Sequence, residues 1–92
     1  MTTTVIIRTS DGDKVSVQEV TLTDSALERA RRNFNPSGNS EVDVIKCLAA
    51  AFYSVLQPVQ ETRHPIAGRE AATAMTDIQS GAMFAVSALT AV

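Results

Sequence analysis

Hydrophobic and polar residues alternate near the N-terminus of this chain and recur at helical spacing over the rest of it. Residues 4–9 are rich in β-branched side chains, and Val15 and Val17 alternate with polar neighbours. The dipeptide Asp11-Gly12 between these runs is typical of a two-residue type I′ turn. The pattern therefore predicts a β-hairpin over residues 1–22.

The alternation skips after Val17, since the next apolar positions are Val20 and Leu22. Such a skip predicts a β-bulge or bend near Gln18 and Glu19. An isolated two-stranded ribbon is only marginally stable in water. We therefore expect the hairpin to pack on a helix or on a neighbouring subunit.

A short helix and a turn are predicted for residues 23–39. Thr23, Asp24 and Ser25 are candidate N-caps, and Ser25 with Glu28 has the spacing of a capping box ahead of an apolar run. The helix is expected to run to about Asn33, because Pro36 disfavours helical geometry at the residue before it. The polar residues after the proline extend the break.

Residues 40–92 carry the pattern of an antiparallel pair of long helices. Ser40 with Asp43 repeats the capping-box spacing. Apolar residues then recur at three- and four-residue steps as far as about Gln57, which is typical of an amphipathic helix. We expect Pro58 to end or kink this helix.

The second long helix is predicted to follow a loop over residues 61–68 and to start at about Ile66 or Gly68. Its end, residues 78–92, contains no charged side chain. Spanning a membrane takes about 20 predominantly apolar residues, and this run is shorter and interrupted by polar residues. It therefore predicts burial in a soluble protein, with no membrane partner.

A chain of 92 residues has little core in which to bury two such helices. We therefore expect a symmetric homo-oligomer. The predicted fold is a single α+β domain over residues 1–92, mostly α, in which a β-hairpin and a short helix precede a long helical hairpin.

Composition narrows the class of partner. Eight basic and ten acidic residues give a net charge of −2, whereas proteins that follow a nucleic-acid backbone carry a basic surface. Long nucleic acid is therefore not expected as a partner, although local cations can still hold a small anion. The single Cys47 and an N-terminus without a signal peptide favour a reducing cytoplasm, and we interpret Cys47 as a buried thiol.

The most suggestive chemistry lies between the short helix and the first long helix. Three arginines, Phe34 and the Asn-Pro turn lie close in sequence, and Lys46 follows about a turn into the next helix. A nucleotide is bound by cations for phosphate, a ring for the base, and turn amides for oxygens. Alternatively, the arginines form a solvated face and Phe34 packs as a hydrophobic staple beside an ordinary turn.

A second cluster lies at the start of the last helix. Glu70 suits the positive end of the helix dipole but Arg69 does not, so Arg69 is either a ligand contact or half of a surface ion pair. His64 is the only histidine, and we interpret it as a solvated loop residue. We predict no catalytic residue, metal site or cofactor.

The order and spacing of four segments resemble the helical-hairpin family of phage immune-evasion sponges. The segments are residues 33–37 (Asn-Phe-Asn-Pro-Ser), 44–46 (Val-Ile-Lys), 68–76 (Gly-Arg-Glu-Ala-Ala-Thr-Ala-Met-Thr) and 82–86 (Ala-Met-Phe-Ala-Val). Members bind the cyclic oligonucleotides of CBASS defence, and relatives bind the cyclic ADP-ribose signal of Thoeris defence. The resemblance covers roughly residues 33–88.

The resemblance implies a protein that sequesters a bacterial second messenger without cleaving it, in the cytoplasm of the infected cell. It implies hexamers with cyclic dinucleotide pockets between paired subunits and, in some members, separate cyclic trinucleotide pockets. Phe34, where the family often has Tyr, would stack on a base, and Lys46 would contact phosphate. The remaining expected ligand contacts are Arg32, Asn35, Ser37, Arg69 and Thr76.

Two other functions are compatible with the residues. The chain could be a structural or protein-interaction module whose helical hairpin only oligomerises. It could also be a small enzyme that cleaves a cyclic nucleotide, with a site assembled across subunits.

Overall fold

The computed structural model describes residues 2–62 and 64–91, and most of them are helical. The elements in chain order are β1 (Thr4–Asp11), β2 (Lys14–Thr21), α1 (Asp24–Arg29), α2 (Ser40–Gln60) and α3 (Pro65–Thr90). This order confirms the predicted fold class of a β-hairpin, a short helix and two long helices.

The hairpin is regular along its whole length. Its antiparallel pairs run without interruption from Thr4–Thr21 to Asp11–Lys14, so the predicted bulge near Gln18 and Glu19 is wrong. The apolar alternation skips between Val17 and Val20 because the apolar side chains of β2 move from one face of the hairpin to the other. Val20 packs against the core on one face, whereas Val15 and Val17 lie on the opposite face and are exposed.

The hairpin turn consists of Gly12 and Asp13, enclosed by the Asp11–Lys14 pair. Gly12 has a φ of 63°, and Asp13 is not in the positive-φ region. A glycine at the first central position is the pattern of a type II′ turn. The prediction of a type I′ turn at Asp11-Gly12 is therefore wrong in type, and it placed the two central residues one position too early.

Helix α2 is the centre of the fold, because it packs against α3, α1 and both strands. The core contains Tyr53, which is fully buried, and three consecutive small residues of α2, Ala49, Ala50 and Ala51. Leu22, Ala26 and Met75 complete it. Small side chains on α2 let the neighbouring elements approach closely, and this close approach positions the clefts described below.

The cap of α1 is one of the three predicted candidates, whereas the cap of α2 differs from the predicted one. Of Thr23, Asp24 and Ser25, it is Thr23 whose hydroxyl accepts the hydrogen bond from the Ala26 amide, at 3.1 Å. Helix α1 also ends at Arg29, short of the predicted end. Asn39 caps α2 by accepting from the Glu41 amide at 2.8 Å. In both places the cap is the residue just before the first helical turn, where the backbone is still extended.

The connection between the long helices is shorter than predicted. Pro58 lies inside the last turn of α2, which ends at Gln60. Helix α3 begins at Pro65, a favourable residue for the first helical position. The imidazole Nδ1 of His64 accepts from the Ala67 amide at 3.2 Å. His64 is exposed, as expected. Because of this hydrogen bond it is the N-cap of α3 and not an unconstrained loop residue.

Much of the apolar surface of the long helices is uncovered within one chain. The uncharged end of α3 buries Ile78 and Ala82 only partly, and Met83 and Phe84 are largely exposed; its last residue, Val92, lies outside the described residues. Helix α2 carries an exposed apolar stripe, which consists of Val44, Leu48, Phe52 and Val55. By length and composition α2 could cross a membrane, yet its opposite face is the core of this fold.

Candidate functional site

Lys46 is a buried cation on the side of α2 that faces the α1–α2 connection, with 8% of its surface exposed. Its Nζ donates hydrogen bonds to the backbone carbonyls of Arg31, at 2.9 Å, and Phe34. The ammonium group has three donors, so one remains for a further partner. Within the described part of the chain Lys46 has no ion pair, and its charge is therefore not neutralised by a carboxylate.

Two clefts meet at Lys46. The first, here called the cationic cleft, has a volume of about 270 Å³ and lies between α1, α2 and α3; its polar lining consists of Arg29, Arg31, Lys46, Tyr53 and Gln79. The second, here called the Phe34 cleft, has a volume of about 220 Å³; its lining includes Phe34, Asn35, Ser37, Lys46 and Val86. The structure thus brings four of the predicted ligand contacts, Phe34, Asn35, Ser37 and Lys46, to one place.

Phe34 presents its ring to solvent beside the buried cation. The side chain is 64% exposed, and the centre of the ring lies 5.5 Å from Lys46 Nζ. An exposed ring does not pack as a hydrophobic staple, so the alternative interpretation of Phe34 is wrong. The ring and the ammonium group together offer a stacking surface next to a positive charge.

Asn35 and Ser37 form the turn that carries Phe34. The Asn35 amide nitrogen donates to the Asn39 carbonyl at 2.9 Å, and the Ser37 hydroxyl donates to Asn35 Oδ1 at 2.8 Å. The Asn39 amide donates in turn to the Ser37 hydroxyl at 3.2 Å. These side chains therefore hold the edge of the Phe34 cleft in shape, which is the turn role that the sequence also allowed.

Arg32 is held outside both clefts. Its guanidinium group pairs with the Asp43 carboxylate at 3.2 Å and donates to the Thr3 hydroxyl at 3.1 Å. The hydrogen bond that Arg32 donates to Asp43 raises the pKa of Arg32 above its usual value. Nearby, burial raises the pKa of the Cys47 thiol, and the positive charge of Arg32 opposes this effect. Through its contacts with Thr3 and Asp43, Arg32 links the start of the chain to α2.

Arg69 and Thr76 lie away from the clefts within one subunit. Both are exposed on α3, and Arg69 precedes Gln79 by ten residues, or about 15 Å along the helix axis. The Thr76 hydroxyl donates to the Ala72 carbonyl at 3.1 Å. Arg69 makes no ion pair with any residue in the described ranges, so the ion-pair explanation for it has no support.

Four polar residues of the cationic cleft, Arg29, Arg31, Tyr53 and Gln79, were not among the predicted contacts. The Arg29 guanidinium group lies 5.0 Å from the centre of the Tyr53 ring and donates to Gln79 Oε1 at 3.1 Å. Burial raises the pKa of Tyr53, and the positive charge of Arg29 opposes this effect. The sequence contained a signal for Tyr53, since Lys46 and Tyr53 are seven residues apart and therefore share a side of α2.

Fold and site define a helical-hairpin protein with a cation-lined binding surface. A family described as "Acb2/Tad1, hairpin domain" matches residues 24–90, and the chain belongs to this family. It is the anti-CBASS and anti-Thoeris sponge family of phages, which sequesters ligands and is not a family of enzymes. The predicted resemblance is thus confirmed, and a general anti-defence sponge role follows.

The family match begins at the first residue of α1 and ends at the last residue of α3. The β-hairpin therefore lies outside the matched region. Searches among curated proteins and among solved structures found no match.

Proposed function

We propose that this protein binds a cyclic oligonucleotide or a cyclic ADP-ribose-type messenger and sequesters it without cleavage. The observation that carries the proposal is the pairing of Phe34 and Lys46, with an open aromatic ring 5.5 Å from a buried ammonium group. Membership of a sponge family supports capture in place of chemistry. The proposed setting is the cytoplasm of an infected bacterial cell, where the signal would be withdrawn from its effector.

Each part of the pair has a distinct role in this proposal. A base stacked on Phe34 would contribute about 1–3 kcal/mol. The third N–H of Lys46 would donate to a phosphate oxygen, and such charge-assisted bonds are stronger than neutral ones. Burial strengthens this contact further, because the local dielectric is lower than that of water.

We also propose that the binding unit is an oligomer, with a hexamer as the expected form. The exposed stripe on α2 and the exposed end of α3 provide apolar surface that a second subunit would cover. A symmetric assembly would let Arg69 and Thr76 of another subunit complete a pocket, or form a separate one. This arrangement accounts for Arg69, a cation at the start of α3 that has no ion pair among residues 2–62 and 64–91 of its own chain.

Isothermal titration calorimetry with cyclic di- and trinucleotides and cyclic ADP-ribose isomers tests the proposal. We expect micromolar or tighter binding of at least one compound, and recovery of that compound intact by mass spectrometry. Absence of heat for every compound at tens of micromolar protein would contradict it. Recovery of a linearised product would instead indicate an enzyme.

The exposed apolar stripe of α2 also favours a second function, in which the chain is an oligomerisation module without a small-molecule ligand. The two functions differ in the effect of Phe34→Ala. If the chain is an oligomerisation module, the Phe34→Ala variant keeps its assembly and has no ligand binding to lose. If the chain is a sponge, the variant keeps its assembly but no longer binds the ligand. Lys46→Ala is a poorer test, because it also removes two hydrogen bonds that hold the α1–α2 connection.

A further inference from the structure

Arg31 has a backbone conformation that favours glycine. Its φ is 55°, and no other non-glycine residue in the described ranges has a positive φ. The Arg32 amide donates to the Leu27 carbonyl at 3.1 Å and the Arg31 amide to the Glu28 carbonyl at 3.0 Å. These two bonds form a Schellman motif at the end of α1, and Arg31 occupies the position where glycine is usual.

An arginine at this position is unfavourable for the backbone, because its Cβ approaches the following carbonyl. Residues held in such conformations cluster at functional sites. The backbone of Arg31 has a structural role, since its carbonyl accepts from Lys46 Nζ. Glycine would serve that role equally well, so the backbone contact alone does not account for an arginine at this position.

The side chain of Arg31 borders the cationic cleft and is available for a ligand. It is exposed and makes no hydrogen bond or ion pair with the residues that the structure describes. Arg29 and Lys46 border the same cleft, and no carboxylate does so among the described lining residues. Three positive charges thus surround one small space in a chain whose net charge is −2, and their local field favours an anion.

The remaining walls of the cleft are apolar, formed chiefly by Ala82, Met83 and Val86 of α3. Pockets for whole small-molecule ligands measure about 300–1,000 Å³, so a cleft of about 270 Å³ suits part of a ligand. The chemistry that fits is a phosphoryl group whose attached sugar or base rests on the apolar wall. Guanidinium groups match phosphate oxygens in geometry as well as in charge.

We infer that the cationic cleft is a second phosphoryl-binding subsite, on the other side of Lys46 from Phe34, and that Arg31 is its principal contact. Arg31 combines a left-handed backbone with a place in the lining of this cleft. The inference rests on the proposed function, because Lys46 borders both clefts and would serve both ends of one ligand. A cyclic messenger with two phosphates would then contact the cationic cleft with one and the Phe34 cleft with the other.

Three substitutions of Arg31 separate the side chain from the backbone. Arg31→Gly and Arg31→Asn remove the charge and tolerate a positive φ, whereas Arg31→Lys keeps the charge. The probes are inorganic pyrophosphate, followed by phosphorus NMR, and the cyclic nucleotide panel, followed by calorimetry. Lys14→Gln, in the strand residue after the hairpin turn, is the matched control because it removes one exposed cation elsewhere.

We expect the Gly and Asn variants to bind pyrophosphate at least tenfold more weakly than the wild type, and Lys14→Gln to stay within about threefold of it. Arg31→Lys should lose less affinity than the Gly and Asn variants, because it keeps the charge but not the guanidinium geometry. Thermal unfolding should show both weakened variants folded. Wild-type affinity in Arg31→Gly and Arg31→Asn would overturn the inference, and so would absence of pyrophosphate binding by the wild type at millimolar concentrations.

The two proposals fail in different ways. If a cyclic nucleotide binds and is lost in Phe34→Ala but kept in Arg31→Gly, the second subsite is wrong and the proposed function stands. If pyrophosphate binds in an Arg31-dependent way but no cyclic nucleotide binds, the cleft holds phosphoryl groups and the proposed messenger is wrong.

Discussion

Lys46 and Phe34 are joined twice, because the Lys46 ammonium group donates to the Phe34 backbone carbonyl and also lies 5.5 Å from the centre of the Phe34 ring. The buried cation therefore fixes the position of the turn that presents the ring. Stability and binding are coupled at Lys46 but separate at Phe34, whose side chain is mostly exposed.

Phe34→Ala is expected to weaken binding of the cyclic nucleotide about 5- to 150-fold, which corresponds to the loss of about 1–3 kcal/mol of base stacking. The melting temperature should change little, because the side chain contributes little to the core. Calorimetry and thermal unfolding measure the two effects. Val15→Ala is the control, since Val15 is 63% exposed on the hairpin and borders neither cleft. Equal losses of affinity in the two variants would argue against a specific role for Phe34.

Lys46→Met should lower both stability and binding. Methionine fills a similar volume but leaves the Arg31 and Phe34 carbonyls without their donor, and such loss costs about 1–3 kcal/mol. Urea denaturation gives the change in the free energy of unfolding. A variant as stable as the wild type would show that the ammonium group does not hold the α1–α2 connection.

Arg31→Gly is expected to leave the free energy of unfolding unchanged or to raise it by up to about 1 kcal/mol. Glycine relieves the left-handed strain of the backbone but increases the entropy of the unfolded chain. Urea denaturation at neutral pH measures the result. A clear loss of stability would mean that the Arg31 side chain holds the fold, although it makes no hydrogen bond or ion pair with the described residues.

Burial of Tyr53 makes stability sensitive to alkaline pH. The pKa of Tyr53 is raised in the folded protein, so the folded state favours the protonated phenol. This contribution is complete below the unfolded pKa of about 10 and is lost as the pH rises through the folded pKa. Denaturation between pH 8 and 11 should therefore show a steeper fall for the wild type than for Tyr53→Phe. If the stability of the two proteins falls in parallel with pH, the pKa of Tyr53 is not raised in the folded state.

Leu48→Glu should dissociate the proposed oligomer. Leu48 is 49% exposed in one chain and lies in the middle of the apolar stripe on α2, where a buried carboxylate would be costly. Native mass spectrometry reports the subunit number, and circular dichroism checks the helices. Gln60→Glu adds the same charge at the exposed end of α2 and should leave the assembly intact. A wild-type monomer would refute the oligomer outright.

Local pattern was informative wherever structure depends on neighbours in the chain. The predicted caps at residues 23–25 and at Ser40 located the starts of α1 and α2 to within one or two residues, and Gly12 located the hairpin turn. Caps and turns are made by adjacent groups, which is why the sequence predicts them. The errors were also local. A skip in alternation was interpreted as a bulge, although it marks the point where apolar side chains change faces.

The sequence by itself determined the order and type of the elements and the cluster of Phe34, Asn35, Ser37 and Lys46, since periodicity and spacing are properties of the chain alone. Only the tertiary structure decided that Lys46 is buried against two carbonyls, that Arg32 pairs with Asp43, and that Arg29 lies over Tyr53. The physical reason is that burial and pairing depend on which distant residues meet. The tertiary structure also decided the left-handed backbone of Arg31. Arginine does not favour this conformation, and the hydrogen bond from Lys46 of α2 to the Arg31 carbonyl helps to hold it.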